Sequence, residues 1–248
     1  MPNIKMILEY DGTRFHGWQK QPGLKTVQGE LHKALELVLR EPIKEVIASG
    51  RTDAGVHAKG QVANFHTISH PDLDRLQRSV SSILKGELSV VQVEIVSDEF
   101  HSRYCAAAKE YRYTILNRYV PAVLDWNRAW LVSAKLDEDA MRQFALSLCG
   151  TRDFACFQAS GCEARSTIKT IYKSEIKRED DYLIYTVIGS GFLKQMVRNI
   201  VGTLVEIGRG SSKIPPIESL LNSRNRQLAG ITAPAYGLML HQVFYEEI

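Results

Sequence analysis

Three glycines and four potentially ionisable side chains fall within eleven consecutive residues, Gly50-Arg51-Thr52-Asp53-Ala54-Gly55-Val56-His57-Ala58-Lys59-Gly60. Glycines permit tight backbone turns that aim side chains outward from a rigid sheet. In the simplest reading the segment is a surface turn, with Asp53 accepting from a neighbouring amide and Arg51 a solvated charge. In the chemical reading a carboxylate beside a cation stays ionised and can act as nucleophile or base. The local sequence does not choose between them, so the elements that would have to hold the segment come next.

Alternation in Ile4 to Tyr10 predicts a strand. Behind a Thr26 N-cap, Val27, Leu31, Leu35, Val38 and Leu39 recur at helical spacing. Strands follow at about Ile43 to Ser49 and Gln61 to His66. A helix then presents Leu73, Leu76, Val80 and Leu84 on one face and leads to a strand at Leu88 to Val96. The order is βαββαβ, with the glycine-rich segment linking the second and third strands. The second half reads the same way. Ala107 to Asn117 alternates, Asp137 caps a helix through Met141, Phe144 and Leu148, and two strands flank the turn Arg178-Glu179-Asp180-Asp181. A helix through Met196, Val197, Ile200, Val201, Leu204 and Val205 and a strand near Leu238 to Tyr245 complete it. The expected fold class is therefore α+β: two βαββαβ units, ferredoxin-like or RRM-like, forming antiparallel sheets with a cleft between them. The expected domains are residues 1–102, bearing the Asp53 loop, and residues 103–248. No residue-level repeat or linker-like composition marks the junction.

The segment from Gly50 to Ala58 resembles the catalytic motif of the TruA family of tRNA pseudouridine synthases over its full length. Other segments agree in order: Tyr10-Asp11-Gly12-Thr13-x-Phe15-x-Gly17-Trp18-Gln19, Thr26-Val27-Gln28, His101-x-Arg103 and Tyr111-Arg112-Tyr113. Phe192-Leu193-x-x-Met196-Val197-Arg198-Asn199 and Thr232-Ala233-Pro234-Ala235-x-Gly237-Leu238 extend the resemblance across nearly the whole chain. Lys109, Ser102 and Tyr104 depart from the family pattern without touching the catalytic motif.

The resemblance implies isomerisation of uridine to pseudouridine at positions 38 to 40 of the tRNA anticodon stem-loop, with Asp53 as the catalytic aspartate. It also implies Tyr111 beside the target base, Arg198 as an ion-pair partner of Asp53, and a homodimer that carries tRNA across both subunits. A paired stem hides its bases, so the target must be flipped out, and Arg51 is the residue expected to hold the opened stack. Leu240, on the last strand, is the expected apolar floor under the uracil, although a leucine there also fits a plain core position. The chemistry breaks the C1′–N1 bond, turns the retained uracil and joins C5 to C1′ with loss of the C5 proton. Attack of Asp53 on C1′, attack on uracil C6 and abstraction of a ribose proton all remain open at this level, and none requires a redox or metal centre.

Competing chemistries find no motif. Gly55-x-x-x-x-Gly60 is followed by Gln61-Val62 where a phosphate loop needs Lys and Ser/Thr, and Gly208-x-Gly210 lacks the third glycine of a dinucleotide site. His-Glu-x-x-His is absent, and Cys105, Cys149, Cys156 and Cys162 lack ligand spacing, so no metal and no cofactor is expected, and His57 and Cys162 read as structural. A noncatalytic pair of RRM units would carry stacking aromatics on its third strand, where this chain has Lys59-Gly60-Gln61-Val62-Ala63-Asn64-Phe65-His66. A hydrolase built on Asp53 and His57 would need an oxyanion signature that the sequence lacks. A net charge of +3 permits a polyanionic partner without demanding one. Unpaired cysteine spacing and the absence of a signal core or a span-length apolar run lead to the expectation of a cytoplasmic protein that does not enter membranes.

Overall fold

In the computed structural model, residues 1–246 are described, and they divide into two compact units. The first comprises Met1–Ala107 together with the closing segment from Met239, and the second Ala108–Leu238. Among the described residues no helix is long and apolar enough to cross a membrane.

The first unit runs β1 (Asn3–Tyr10), α1 (Val27–Leu39), β2 (Ile47–Ala48), β3 (His57–His66), α2 (Leu73–Ile83) and β4 (Leu88–Val96). β1 is central. It pairs antiparallel with β3 from Asn3↔His66 to Tyr10↔Ala58, and antiparallel with β4 from Asn3↔Val96 to Tyr10↔Leu88. Ile4, Met6, Leu8 and Tyr10 alternate into the buried side of this sheet, which is the period of two that a half-covered strand requires. α1 begins where the Thr26 hydroxyl accepts the Gly29 amide, and it buries Val27, Leu31, Ala34 and Leu35. Each fully buried leucine there contributes about 1.5–3 kcal/mol. α2 starts on an Asp72 cap and buries Leu76 and Val80. The strand expected over residues 43–49 narrows to the two residues of β2: Ile43 and Val46 are buried all the same, but as irregular chain tucked toward α1, where the Gln28 amide donates to Val46 O at 2.9 Å.

In the second unit come β5 (Ala108–Leu116), β6 (Trp130–Leu131), α3 (Glu138–Ser147), β7 (Gly150–Asp153), β8 (Ile168–Glu179), β9 (Tyr182–Gly189), α4 (Met196–Gly208) and α5 (Ile217–Ser223). β9 lies between β5 and β8, antiparallel to both, and β7 extends the sheet on β8. The Asp137 cap holds, its carboxylate accepting the Ala140 amide at 3.0 Å. β6, β7 and α5 add to the order expected from sequence. β10 (Leu238–Phe244) lies not with residues 103–248 as expected but, from Met239 on, in the first unit, where Met239 and Leu240 run parallel to His57 and Ala58 of β3. Strand alternation in β10 reports which side chains are covered, and it is silent on which sheet supplies the partner. Both units mix helices with mostly antiparallel sheet, which makes the chain α+β.

Candidate active site

Asp53 sits half-buried in the link between β2 and β3, with Arg51 exposed and Thr52 buried beside it. Three sets of contacts hold this link. At its start, the buried Gln61 amide donates to Gly50 O at 2.8 Å while its carbonyl oxygen accepts the Ser49 hydroxyl at 2.7 Å. In the middle, Tyr10 Oη lies 2.8 Å from Thr52 Oγ1, and Thr52 O accepts the Trp18 amide at 3.0 Å. At its end, Gly55 N donates to Phe15 O at 3.3 Å, and Val56 N closes a four-residue turn on Asp53 O at 3.1 Å. Gly55 occupies the third position of that turn with φ 79°, a value that favours glycine. Burial pushes the Tyr10 phenol up to about 12 although hydrogen bonds to Thr52 and Gln61 pull the other way, so it remains a neutral hydrogen-bonding group at any working pH.

The segment Asp11 to Trp18 is the other wall of this cradle. Asp11 caps a short 3-10 turn by accepting the Thr13 amide, and the Gly12 amide donates to His57 Nδ1 at 3.1 Å. An added Cβ on Gly12 would lie 2.1 Å from Val56 O, and one on Gly17 would lie 2.8 Å from Thr52 O and 3.3 Å from the Asp53 carbonyl carbon. The two glycines are therefore where two backbones press together, and they let one segment fix the height of the other. His57, read from sequence as structural, serves as the acceptor that orders Gly12. Leu240 is fully buried on β10, in register with Ala58 at the head of β3.

The second unit positions Tyr111 and Arg198. Tyr111 on β5 is paired with Val187 on β9, is 7% exposed, and meets Phe192 edge-on with ring centroids 5.1 Å apart. Phe192 belongs to the stretch that leads into α4, where Gln195 adopts φ 59° just before the helix. Arg198 lies in the first turn of α4. Its Nε donates to Ala233 O at 2.8 Å, and Ala233 N donates back to Arg198 O at 3.1 Å. Asn199 beside it is wholly buried; its amide donates to Phe157 O at 2.7 Å, while its carbonyl oxygen accepts from Arg226 at 2.8 Å and Thr232 at 2.7 Å. A Cβ on Gly202 would lie 1.6 Å from Ile231 O, so the chain before Pro234 crosses α4 at that glycine. Further along, Pro234 O accepts the Tyr113 hydroxyl at 2.8 Å. The Phe192 to Asn199 and Thr232 to Leu238 motifs thus form one interlocked support around Arg198 and β5.

The chemistry within reach of these groups is carboxylate chemistry in the first unit, and aromatic and cationic binding in the second. Among the described residues no group of three or more His, Cys, Asp or Glu side chains is placed to hold a metal ion. The roles of Tyr10, Gly12, Gly17, Thr52 and Gln61 were not foreseen. The clue in the sequence was two glycines and three aromatics packed between residues 10 and 18, a density that a solvated loop does not need.

A family model described as tRNA pseudouridine synthase matches residues 6–105 and 144–246. A protein of Acetivibrio thermocellus named tRNA pseudouridine synthase A is 43% identical over 245 residues, covering 99% of this chain and 100% of the relative. One of the same name from Geobacter sp. (strain M21) is 44% identical over 248 residues, covering 100% of both. Another from Thermoanaerobacter sp. (strain X514) is 42% identical over 245 residues, again 99% of this chain and 100% of the relative. With matches of this length and identity around the cradle that holds Asp53, the chain belongs to the tRNA pseudouridine synthase family.

Proposed function

We propose that this chain isomerises uridine to pseudouridine in tRNA, at positions 38 to 40 of the anticodon stem-loop, with the Asp53 carboxylate as the reacting group. The observation that carries the assignment is the holding of Asp53. The residues on both sides of it are hydrogen-bonded to Tyr10 at the end of β1 and to the Asp11 to Trp18 segment, and its side chain is left half-buried at the end of that support. A turn residue on the surface needs no such support, whereas a nucleophile or base gains from fixed position.

In the reaction the C1′–N1 bond breaks, the uracil turns while still bound, C5 bonds to C1′, and the C5 proton leaves as N1 acquires one. Atoms and oxidation state balance without a cofactor. Attack on C1′, attack on C6 and removal of a ribose proton each use the negative charge of Asp53. Tyr111 packs beside the base and offers its hydroxyl for proton removal or orientation, Arg51 holds the opened stack, Arg198 is the cation paired with Asp53, and Leu240 is the apolar floor. The same reading makes each half a ferredoxin-like unit, places the protein in the cytoplasm, and has it act as a homodimer on tRNA.

Asp53→Asn tests the assignment, because it keeps the shape and one acceptor oxygen while removing the charge. The variant should fold, bind tRNA and release no tritium above background from C5-labelled uridine in tRNA. Turnover near the wild-type rate in a clean preparation would refute the catalytic role.

A further inference from the structure

Arg226 opens a short 3-10 turn, Arg226–Leu228, that follows α5, and Asn225 fixes the start of this turn by accepting the Gln227 amide at 3.0 Å. From there the half-buried guanidinium reaches two separate segments. One terminal nitrogen donates to Gly230 O at 2.7 Å and leans toward Ala229 O at 3.5 Å. The other donates to Asn199 Oδ1 at 2.8 Å and to Thr232 Oγ1 at 3.0 Å, while the Thr232 hydroxyl itself donates to Asn199 Oδ1 at 2.7 Å. All of these acceptors are neutral, so they use the planar fork of the side chain and compensate no charge. Apolar burial does little to hold the segment that is gripped, since Gly230 has no side chain and Ile231 is 55% exposed. A Cβ on Gly230 would lie 2.6 Å from Thr203 N, and Gly230 N donates to Thr203 Oγ1 at 2.9 Å. The chain thus lies directly on α4 and is kept there by hydrogen bonds, of which Arg226 supplies those that span both sides.

We infer that Arg226 is a positioning residue whose fork fixes the direction of the Arg198 guanidinium. The inference rests on the reading above in which Arg198 is the cation paired with Asp53. Arg226 grips Asn199 and Thr232, and each of these is the chain neighbour of one member of a doubly bonded pair. In that pair Arg198 Nε donates to Ala233 O at 2.8 Å, and Ala233 N donates to Arg198 O at 3.1 Å. Tying Nε to a carbonyl aims the remaining N–H groups of a planar guanidinium in one direction. The carbonyl that does so belongs to irregular chain between Gly230 and Pro234, so its own position is only as fixed as the residues before it. Arg226 anchors those residues to α4 at Asn199, one residue from the side chain to be aimed. A lysine would bring the same charge to the same place, but a single ammonium has no rigid fork with which to hold Gly230 O, Asn199 Oδ1 and Thr232 Oγ1 in register. The segment would then drift on α4, and Ala233 O with it.

Arg226→Lys in the full chain, alone and combined with Arg198→Ala, tests this, with every measurement made well below the melting temperature of the variant concerned. Proton–nitrogen NMR on arginine-labelled protein reads the Arg198 Nε–H, identified as the signal missing from Arg198→Ala. That proton should exchange slowly with solvent in the wild type and at least about 10-fold faster in Arg226→Lys. In tritium release at varied tRNA concentration, Arg226→Lys should lower kcat at least about 10-fold and leave KM within about 3-fold. In the Arg198→Ala background the same substitution should change kcat by less than about 2-fold, because no guanidinium is left to aim. An Arg198 Nε–H as protected in Arg226→Lys as in the wild type would overturn the inference, and a clamp that serves folding alone gives that result with only a lower melting temperature. Losses in kcat that multiply in the double variant would overturn it as well. A released Arg198 Nε–H in a variant that turns over at the wild-type rate would leave the hold of Arg226 on Arg198 standing and sink the pairing of Arg198 with Asp53 in the functional reading.

Discussion

Gly17→Ala should impair the enzyme from a position that carries no side chain to take part in the chemistry. Gly17 has φ 84°, and an added Cβ would lie 2.8 Å from Thr52 O and 3.2 Å from Ala54 N. The left-handed backbone costs an L residue about 1–2 kcal/mol. The lower entropy of the unfolded chain returns about 0.4–1 kcal/mol. Gly23 isolates that balance: it has φ 72° with nothing within 4 Å, so Gly23→Ala should cost no more than about 1.5 kcal/mol. At Gly17 the atoms met are backbone and cannot swing aside, which adds an overpacking cost of about 1–3 kcal/mol. The total is about 1–4.5 kcal/mol, or a fall in melting temperature of roughly 2–18 °C for a chain of this size. Relief requires the backbone of residues 52–54 to retreat, and Asp53 retreats with it. A displacement of roughly half an ångström at a reacting group should lower kcat by at least about 10-fold. Tritium release at saturating tRNA measures kcat, and a filter-binding titration should show tRNA affinity within about 2-fold of wild type, since no RNA contact is removed. If Gly17→Ala melts and turns over like Gly23→Ala, the claim that the Asp11 to Trp18 segment sets the position of Asp53 is wrong.

Tyr10→Phe removes the 2.8 Å contact with Thr52 and leaves a buried hydroxyl short of a partner, so it should cost about 1–3 kcal/mol in a denaturant titration. Because burial raises the folded Tyr10 phenol to about 12 from the ordinary 10, its contribution is intact below pH 10 and is lost as pH rises toward 12. The difference in stability between wild type and Tyr10→Phe should accordingly shrink across that window, and a constant difference would refute the assignment. Tyr111→Phe keeps the edge-on ring contact with Phe192 and loses only the hydroxyl, so melting temperature and tRNA affinity should hold while tritium release falls; wild-type turnover would remove the hydroxyl from the mechanism. Burial raises the Cys162 thiol, but the amides of Lys194 and Ala164, the Gln158 side chain and the Lys194 ammonium outweigh it and bring the thiol below its ordinary value, whereas burial takes Cys156 up to about 12. Mass spectrometry after brief iodoacetamide treatment at neutral pH should find Cys162 alkylated and Cys156 untouched, and the reverse order would contradict the packing described.

Local pattern was enough for much of this chain. Thr26 and Asp137 are caps because a short oxygen acceptor before a run of helical periodicity satisfies amides that the helix itself cannot reach. β1, α1, α2, α3, α4 and the β8–β9 hairpin follow from which side chains must be covered, and coverage leaves a period of two or of 3.6 in the residues themselves. Family membership was legible too, since a run such as Gly50 to Ala58 is specific at the level of residue types. Pairing and support were not. Nothing in Leu238 to Phe244 tells the strand to join β3, because alternation is the same whichever sheet provides the hydrogen bonds. Ile43 and Val46 look like strand residues and are buried like them, yet they form no ladder, because burial and pairing are separate conditions that coincide only where a neighbouring edge is open. Tyr10 and Gly17 show the limit most plainly. One lies on a strand and the other in a loop, separated from Thr52 by 42 and 35 residues, and their work is done at distances of a few ångströms that only the folded chain brings about. The segment that carries the Asp53 carboxylate stood out in the sequence, and the means of holding it still was decided by the tertiary structure, because rigidity comes from contacts between segments and no single segment contains them.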